Sequence, residues 1–164
     1  MERVELRRLV PDDWRTWRDV RLKLLADEPD AFFSSVERES AYDEARWRAM
    51  LDPGRGVTTM AFAGSEPVGT ASGASDGGEA MLLSMWVARA ARGSGVADLL
   101  VRDIVAWATA TGYPRITLVY ADTNERARRF YERAGFVVTD TVMEHPERPG
   151  HWGRRMVSDI ASAG

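Results

Sequence analysis

MLLSMWVARAARGSGVADLLVRDIVAW, residues 81–107, is the most informative stretch of the chain. It opens with an apolar run, Met81 to Val87, too short for a lone helix and suited to a buried strand. It closes with a helical pattern: Val96, Leu99, Leu100, Ile104 and Trp107 share one face, while Asp98, Arg102 and Thr109 share another. Between the two, Arg92-Gly93-Ser94-Gly95-Val96-Ala97 makes a strand-to-helix turn with two glycines and an arginine. Such a turn suits a phosphate. Glycine lets backbone approach the ligand, the first N–H groups of the helix have no partner within it, and the helix dipole favours an anion there.

Taken alone, Gly-x-Gly marks only a tight turn and a helix start. A P-loop would end in Gly-Lys-Ser/Thr, and the only lysine is Lys23. A Rossmann fingerprint needs a third glycine and an acid after the next strand. The strand predicted over Arg115–Tyr120 runs into Ala121-Asp122, so an acid is available but the glycine pattern is wrong.

Composition narrows the function classes. The 164 residues suffice for one packed domain, and 45% apolar content argues against disorder. No apolar run is long enough to span a membrane, and Met1-Glu2-Arg3-Val4-Glu5 does not read as a signal peptide. The chain has no cysteine, and His145 and His151 are its only histidines, so neither thiol chemistry nor a metal site is expected. A net charge of −3 disfavours non-specific nucleic-acid binding. The expectation is a cytoplasmic protein with no membrane or nucleic-acid partner.

In chain order, Val4–Leu9 alternates as an edge strand does. Pro11-Asp12-Asp13 introduces a helix carrying Trp14, Trp17, Val20, Leu24 and Leu25, which Pro29 stops. A second helix is predicted from about Glu39 to Leu51, carrying Tyr42, Ala45, Trp47 and Met50. Val57–Ala63, Val68–Ala74 and the run at Met81 then read as a three-strand meander, with turns at Gly64–Pro67 and Asp76–Gly78. Gly112 is the expected left-handed cap of the long helix. A strand over Arg115–Tyr120, a helix ending at Gly135, and strands over Phe136–Met143 and His151–Val157 complete the order.

A second stretch supplies the resemblance. Arg92-x-x-Gly95-x-Ala97 resembles the acyl-CoA pyrophosphate loop of the GNAT (GCN5-related) N-acetyltransferase superfamily. Downstream, Asn124-Glu125-Arg126-Ala127-Arg128-Arg129-Phe130-Tyr131-Glu132-Arg133-Ala134-Gly135-Phe136 resembles that family's other signature: Asn, then Ala, then Phe-Tyr, then Gly-Phe. The two motifs occur in family order with a strand between them, and the likeness runs from Met60 to about Val142. It implies an α/β (α+β) GNAT fold: a mixed, mostly antiparallel sheet with a splayed strand pair, flanked by about four helices. The chain would be a single domain over 1–164. Residues 1–56 give the first strand and substrate-side helices, 57–142 the acetyl-CoA-binding core, and 143–158 the closing loop and last strand.

The resemblance also implies acetyl-CoA as co-substrate, held by Met85, Trp86 and Val87 of the central strand, by the loop Arg92, Gly93, Ser94, Gly95, Val96 and Ala97, and by Asn124. Splayed strand edges leave backbone N–H and C=O groups for an amide-rich arm to satisfy as an added strand would. The implied chemistry is direct attack of an amine on the thioester. Backbone N–H groups near Trp86 and Val87 would stabilise the oxyanion, and Tyr131, in the family's general-acid position, would protonate the thiolate. Asn124 also suits a helix cap. Where several relatives carry a basic Glu, five residues before the motif Asn, this chain has Val119. The base is therefore open among Glu37, Glu39, Asp122, Glu144, His145 and His151, or a water chain through Ser84 and Tyr120. Phe32, Phe33, Glu37 and His145 are the candidate acceptor-site residues. The acceptor is a small-molecule amine, a cationic one if aromatic rings with Glu37, Glu39 and Glu44 hold it, or a peptide or protein amine. Relatives often dimerise, so a homodimer is possible. Val119 also leaves open a non-catalytic acyl-CoA sensor or interaction module.

Overall fold

The computed structural model describes residues 3–160. Seven strands, β1 (Val4–Arg8), β2 (Gly56–Ala63), β3 (Glu66–Asp76), β4 (Glu79–Val87), β5 (Arg115–Ala121), β6 (Val137–Glu144) and β7 (Trp152–Asp159), form one sheet in the order β1-β2-β3-β4-β5-β7-β6. Every neighbouring pair is antiparallel except β4 and β5, which run parallel through the long crossover helix between them. The helices are α1 (Trp14–Asp27), α2 (Val36–Glu39), α3 (Glu44–Met50), α4 (Val96–Thr111) and α5 (Glu125–Arg133).

Two cores lie on the sheet. The larger gathers Leu82, Leu100, Ile104, Ile116, Leu118 and Tyr131 from the strands, α4 and α5. The smaller gathers Trp14, Trp17, Leu24, Trp47, Met60 and Trp86 beneath α1 and α3. Met60 and Ala61 are consecutive on β2 and fully buried in different cores, as the two-residue period of a strand requires.

Two features of β4 position the site. Its ladder to β5 consists of Ala80 opposite Ile116 and Met81 opposite Thr117, after which the strands part. On the other edge, Thr70 pairs with Trp86 but Ser72 pairs with Leu83, so Ala71 faces two residues, Ser84 and Met85. Ser84 takes a φ of 54° at this bulge. The extra residue changes the phase of the strand. Leu82 and Trp86, four apart and therefore expected on one face, pack into different cores.

Local chemistry corrects two expectations. The helix predicted over Glu39–Leu51 is two short pieces. Ser35 caps α2 by accepting from the Arg38 N–H, and Asp43, in extended conformation, caps α3 by accepting from Arg46, so Tyr42 lies between helices. On α4 the buried face is Val96, Leu100, Val101, Ile104 and Ala108, while Leu99 is 41% exposed. At about 100° per residue, Leu99 lies about 130° from the centre of that arc. Gly112 caps α4 with φ 95° and donates to Ala108 and Thr109.

Candidate active site

Where β4 and β5 part, a cleft of about 790 Å³ opens between the strand edges and runs toward the N-terminus of α4. Its walls include Met81–Val87, Leu118–Ala121, the loop at Arg92 and Gly93, and the α5 residues Arg126, Ala127, Phe130, Tyr131 and Arg133. Past Met81 and Thr117 the facing backbone edges have no ladder. They are polar surfaces in need of a partner.

One end of the cleft suits a phosphate. Gly93 and Gly95 have φ of 80° and 89°, conformations open to glycine, and a Cβ at either would meet nothing within 4 Å. The loop is therefore shaped by backbone and open to a ligand. No oxygen among the described residues accepts from the N–H groups of Gly93, Gly95, Val96, Ala97 or Asp98, and α4 has no side-chain cap. Arg92, Arg126 and Arg133 line the same cleft. Neither Arg126 nor Arg133 has a carboxylate within salt-bridge reach among the described residues, whereas Arg92 meets Glu28 at 3.4 Å. Free N–H groups, a helix N-terminus and three guanidiniums fit a nucleotide diphosphate.

The other end is apolar, with Phe32, Phe33, Met50, Leu83, Val119 and Met143 on its walls. Phe33 and Val119 close tightly over Gly153, where a Cβ would come within 2.5 Å of Val119 Cγ1 and 2.7 Å of Phe33 Cζ. Arg21 is cationic but neutralised, because its Nε and Nη2 donate to both oxygens of buried Glu39 at 2.8 and 2.9 Å. Tyr131 lines the same cleft. Its ring packs edge-on against Phe136, 9% of the residue is exposed, and its hydroxyl has no hydrogen-bond partner among the described residues. Burial, with a smaller contribution from the charge of Glu28, raises its phenol pKa, so the proton is held throughout the neutral range.

A sequence profile of the Acetyltransferase (GNAT) family matches residues 21–136. The chain belongs to that family. Acetyl-CoA-dependent acetyl transfer is the general reaction of GNAT proteins. No curated protein matches the sequence significantly. Among solved structures, a GNAT-family acetyltransferase from Streptococcus pneumoniae aligns with TM-score 0.80 at 18% identity, over 96% of this chain and 99% of that one. The ribosomal-protein-S18-alanine N-acetyltransferase of Escherichia coli aligns with TM-score 0.73 at 16% identity, over 99% and 97%. The PaiA N-acetyltransferase of Thermoplasma acidophilum, solved with coenzyme A, gives TM-score 0.73 at 18% identity, over 96% and 99%. At these identities the likeness is one of fold.

Within this GNAT fold the expected site residues divide. Met85, Trp86, Val87, Arg92, Gly93, Gly95, Ala97, Asn124 and Tyr131 line the cleft, as do Phe32 and Phe33. The Ser94 and Val96 side chains do not: the Ser94 hydroxyl turns back to the Ala91 carbonyl, and Val96 is 1% exposed in the larger core. The Ser94 N–H is also engaged, donating to the Ala91 carbonyl at 3.3 Å, whereas the Val96 N–H has no acceptor among the described residues. Asn124 caps α5, its side-chain oxygen accepting from Ala127 at 3.0 Å. Glu37 is exposed and away from the cleft wall, because α2 turns it to solvent while burying Glu39. His145 is 2% exposed and pinned at both nitrogens. Nδ1 accepts from the Glu147 N–H at 3.0 Å, which leaves Nε2–H to donate to the Phe32 carbonyl at 2.6 Å. It ties the closing loop to the Phe32 segment and has no free lone pair for an acceptor amine.

The remaining base candidates are also engaged. Asp122 pairs with Arg154 at 2.7 Å, Glu144 accepts from Gly150, and His151 faces Asp30 at 3.4 Å. Burial, then the charge of Asp122, raises the Tyr120 phenol pKa. The glutamates considered for a cationic acceptor do not converge, since Glu39 is held by Arg21 and Glu44 by Arg48. Among the described residues no three His, Cys, Asp or Glu side chains assemble a metal site. The cleft's carboxylates are Glu28 and Asp98, and Asp98 belongs to the first turn of α4. Glu28, Arg126 and Arg133 were not singled out by the sequence. Arg126 and Arg133 carry a signal in hindsight, being seven apart on one helix and so on one face.

Proposed function

We propose that the protein is an N-acetyltransferase that moves the acetyl group of acetyl-CoA to a primary amine carried on an apolar scaffold. The observation that carries this reading is Tyr131: a protonated, hydrogen-bond-free hydroxyl on the wall of a cleft that is cationic at one end and apolar at the other. Bound acetyl-CoA supplies an activated thioester. The free N–H groups of Gly93, Gly95, Val96, Ala97 and Asp98 and the three arginines would hold its phosphates, and the free edges of β4 and β5 would pair with its amide arm.

The backbone of β4 beyond the bulge, at Met85–Val87, takes up the negative charge that develops on the acyl oxygen. Tyr131 Oη gives its proton to the departing sulfur as the C–S bond breaks, and is restored by the second proton that the amide nitrogen sheds. Desolvation raises the phenol pKa but also disfavours a bare thiolate, so transfer stays matched. Glu28 accepts the proton of the attacking ammonium, directly or through water. It is the cleft carboxylate outside α4, and a bound phosphate would compete with it for Arg92, now 3.4 Å away.

The apolar walls and the neutralised Arg21–Glu39 pair support the choice of acceptor. Product analysis by mass spectrometry across a panel tests it. Acetylation of 2-phenylethylamine and hexylamine well ahead of spermidine or aminoglycosides is expected. A preference for the polycations would overturn the acceptor assignment. Val119 is the feature favouring the non-catalytic sensor, and that reading predicts acetyl-CoA binding with no product from any amine.

A further inference from the structure

We propose that Arg21 is a positioning residue for acyl transfer, gripping the Ser84 hydroxyl so that the β4 bulge keeps the shape the cleft requires. Ser84 is the one non-glycine residue with positive φ among the described residues, and it lies inside a strand. A side chain in that conformation is disfavoured and persists where its surroundings over-determine it. Here the surroundings are a three-point clamp. Arg21 Nε and Nη2 fork onto Glu39, and Nη1 donates to Ser84 Oγ at 2.8 Å.

The clamp is rigidly mounted. Arg21 sits in the middle of α1 between buried Val20 and Leu24, and its side chain is 12% exposed against 3% for Glu39. A buried ion pair is a poor source of stability, because desolvating two charges offsets most of their attraction. What this pair delivers is one directed N–H at a strained residue. Relaxation of Ser84 to ordinary strand conformation would remove the phase change that sends Leu82 and Trp86 to different cores. Met85–Val87, the wall of the cleft after the bulge, would then change faces. The inference rests on the proposal that this backbone stabilises the acyl oxygen.

Two substitutions that leave the Arg21–Glu39 pair intact separate the tether from the conformation. Ser84→Ala loses the hydroxyl and still disfavours positive φ, whereas Ser84→Gly loses the hydroxyl but adopts that φ freely. Ser84→Ala is expected to lower kcat by about tenfold or more, and to weaken acetyl-CoA binding in calorimetry, because Ser84 and Met85–Val87 line the cofactor cleft. Ser84→Gly should turn over several-fold faster than Ser84→Ala. The double change Arg21→Met/Glu39→Gln, which strands no buried charge, should fall with Ser84→Ala and recover partly when Ser84→Gly is added. Hydrogen–deuterium exchange over Leu83–Val87 gives a reading independent of activity: faster in Ser84→Ala and in the double variant, slower again with glycine. Equal kcat and equal exchange for Ser84→Ala and Ser84→Gly would overturn the proposal, as would wild-type exchange in the double variant. Exchange that follows prediction while turnover stays at the wild-type value would overturn the catalytic role. A wild type that transfers to no amine would refute the proposed function, and exchange would still decide whether Arg21 holds the bulge.

Discussion

Replacing Tyr131 by Phe removes one oxygen and leaves the ring stacked edge-on against Phe136 at 5.9 Å and Phe130 at 5.2 Å. The hydroxyl has no partner among the described residues, so no hydrogen bond within the protein is lost, and stability at neutral pH should change by less than about 0.5 kcal/mol. Acetyl-CoA affinity should also hold within about threefold, which is about 0.65 kcal/mol. Turnover is different. If Tyr131 Oη protonates the leaving sulfur, kcat should fall by about 10²–10⁴, the range for a lost general acid. Because its pKa is raised, Tyr131 stays protonated through neutral and mildly alkaline pH and sets no limb of the profile below about pH 10. Linkage adds a sign. A raised folded pKa stabilises fully below the unfolded value of about 10 and is lost as pH rises from there, so Tyr131→Phe should lose less stability than wild type above about pH 10. The assay is thiol release under saturating acetyl-CoA and amine, alongside calorimetry and thermal melts. Turnover of Tyr131→Phe within about twofold of wild type would refute the general-acid argument.

Other consequences follow from the same geometry. Gly95→Glu puts a side chain at φ 89° and a carboxylate into the free N–H cradle, so calorimetric acetyl-CoA affinity should drop at least about a hundredfold while the protein still melts cooperatively. Glu28→Gln should lower kcat by about 10–10² yet bind acetyl-CoA slightly tighter, since Arg92 loses its competing partner at 3.4 Å; looser binding at unchanged turnover would remove Glu28 as base. Gly153→Ala drives a Cβ into Val119 and Phe33, and should cost about 1–3 kcal/mol in denaturant melts while raising KM for the amine more than for acetyl-CoA. His145→Ala should cost about 1–3 kcal/mol through its two lost hydrogen bonds and leave the shape of the pH–rate profile unchanged, which a catalytic base would not.

Much of the fold was legible because its signals are local. The apolar run at Met81, the glycines before α4, the left-handed cap at Gly112 and the alternation of the flanking strands each depend on neighbouring residues, and all appear at or near their expected places. The bulge at Ser84 was not legible, because it is held by a hydrogen bond from a residue 63 positions away. Leu99 misled for a simple reason: apolar spacing cannot say where the centre of a buried arc falls. The same division runs through the site. Gly93, Gly95 and Tyr131 are fixed by short motifs, and the cleft brings them together. Glu39 and His145 read as available acids and bases, yet the fold spends them on Arg21 and on the Phe32 carbonyl. Glu28 gave no local sign, since it is the C-cap residue of α1 and meets the cleft only where the folded chain brings the end of that helix.

The most direct test of the account is thiol release from acetyl-CoA by the purified protein, measured with and without an apolar primary amine. The account predicts release that depends on the amine, saturates with it, and matches one acetylated product per thiol. Tight acetyl-CoA binding with no amine-dependent release, for apolar amines, polyamines and peptides alike, would contradict it.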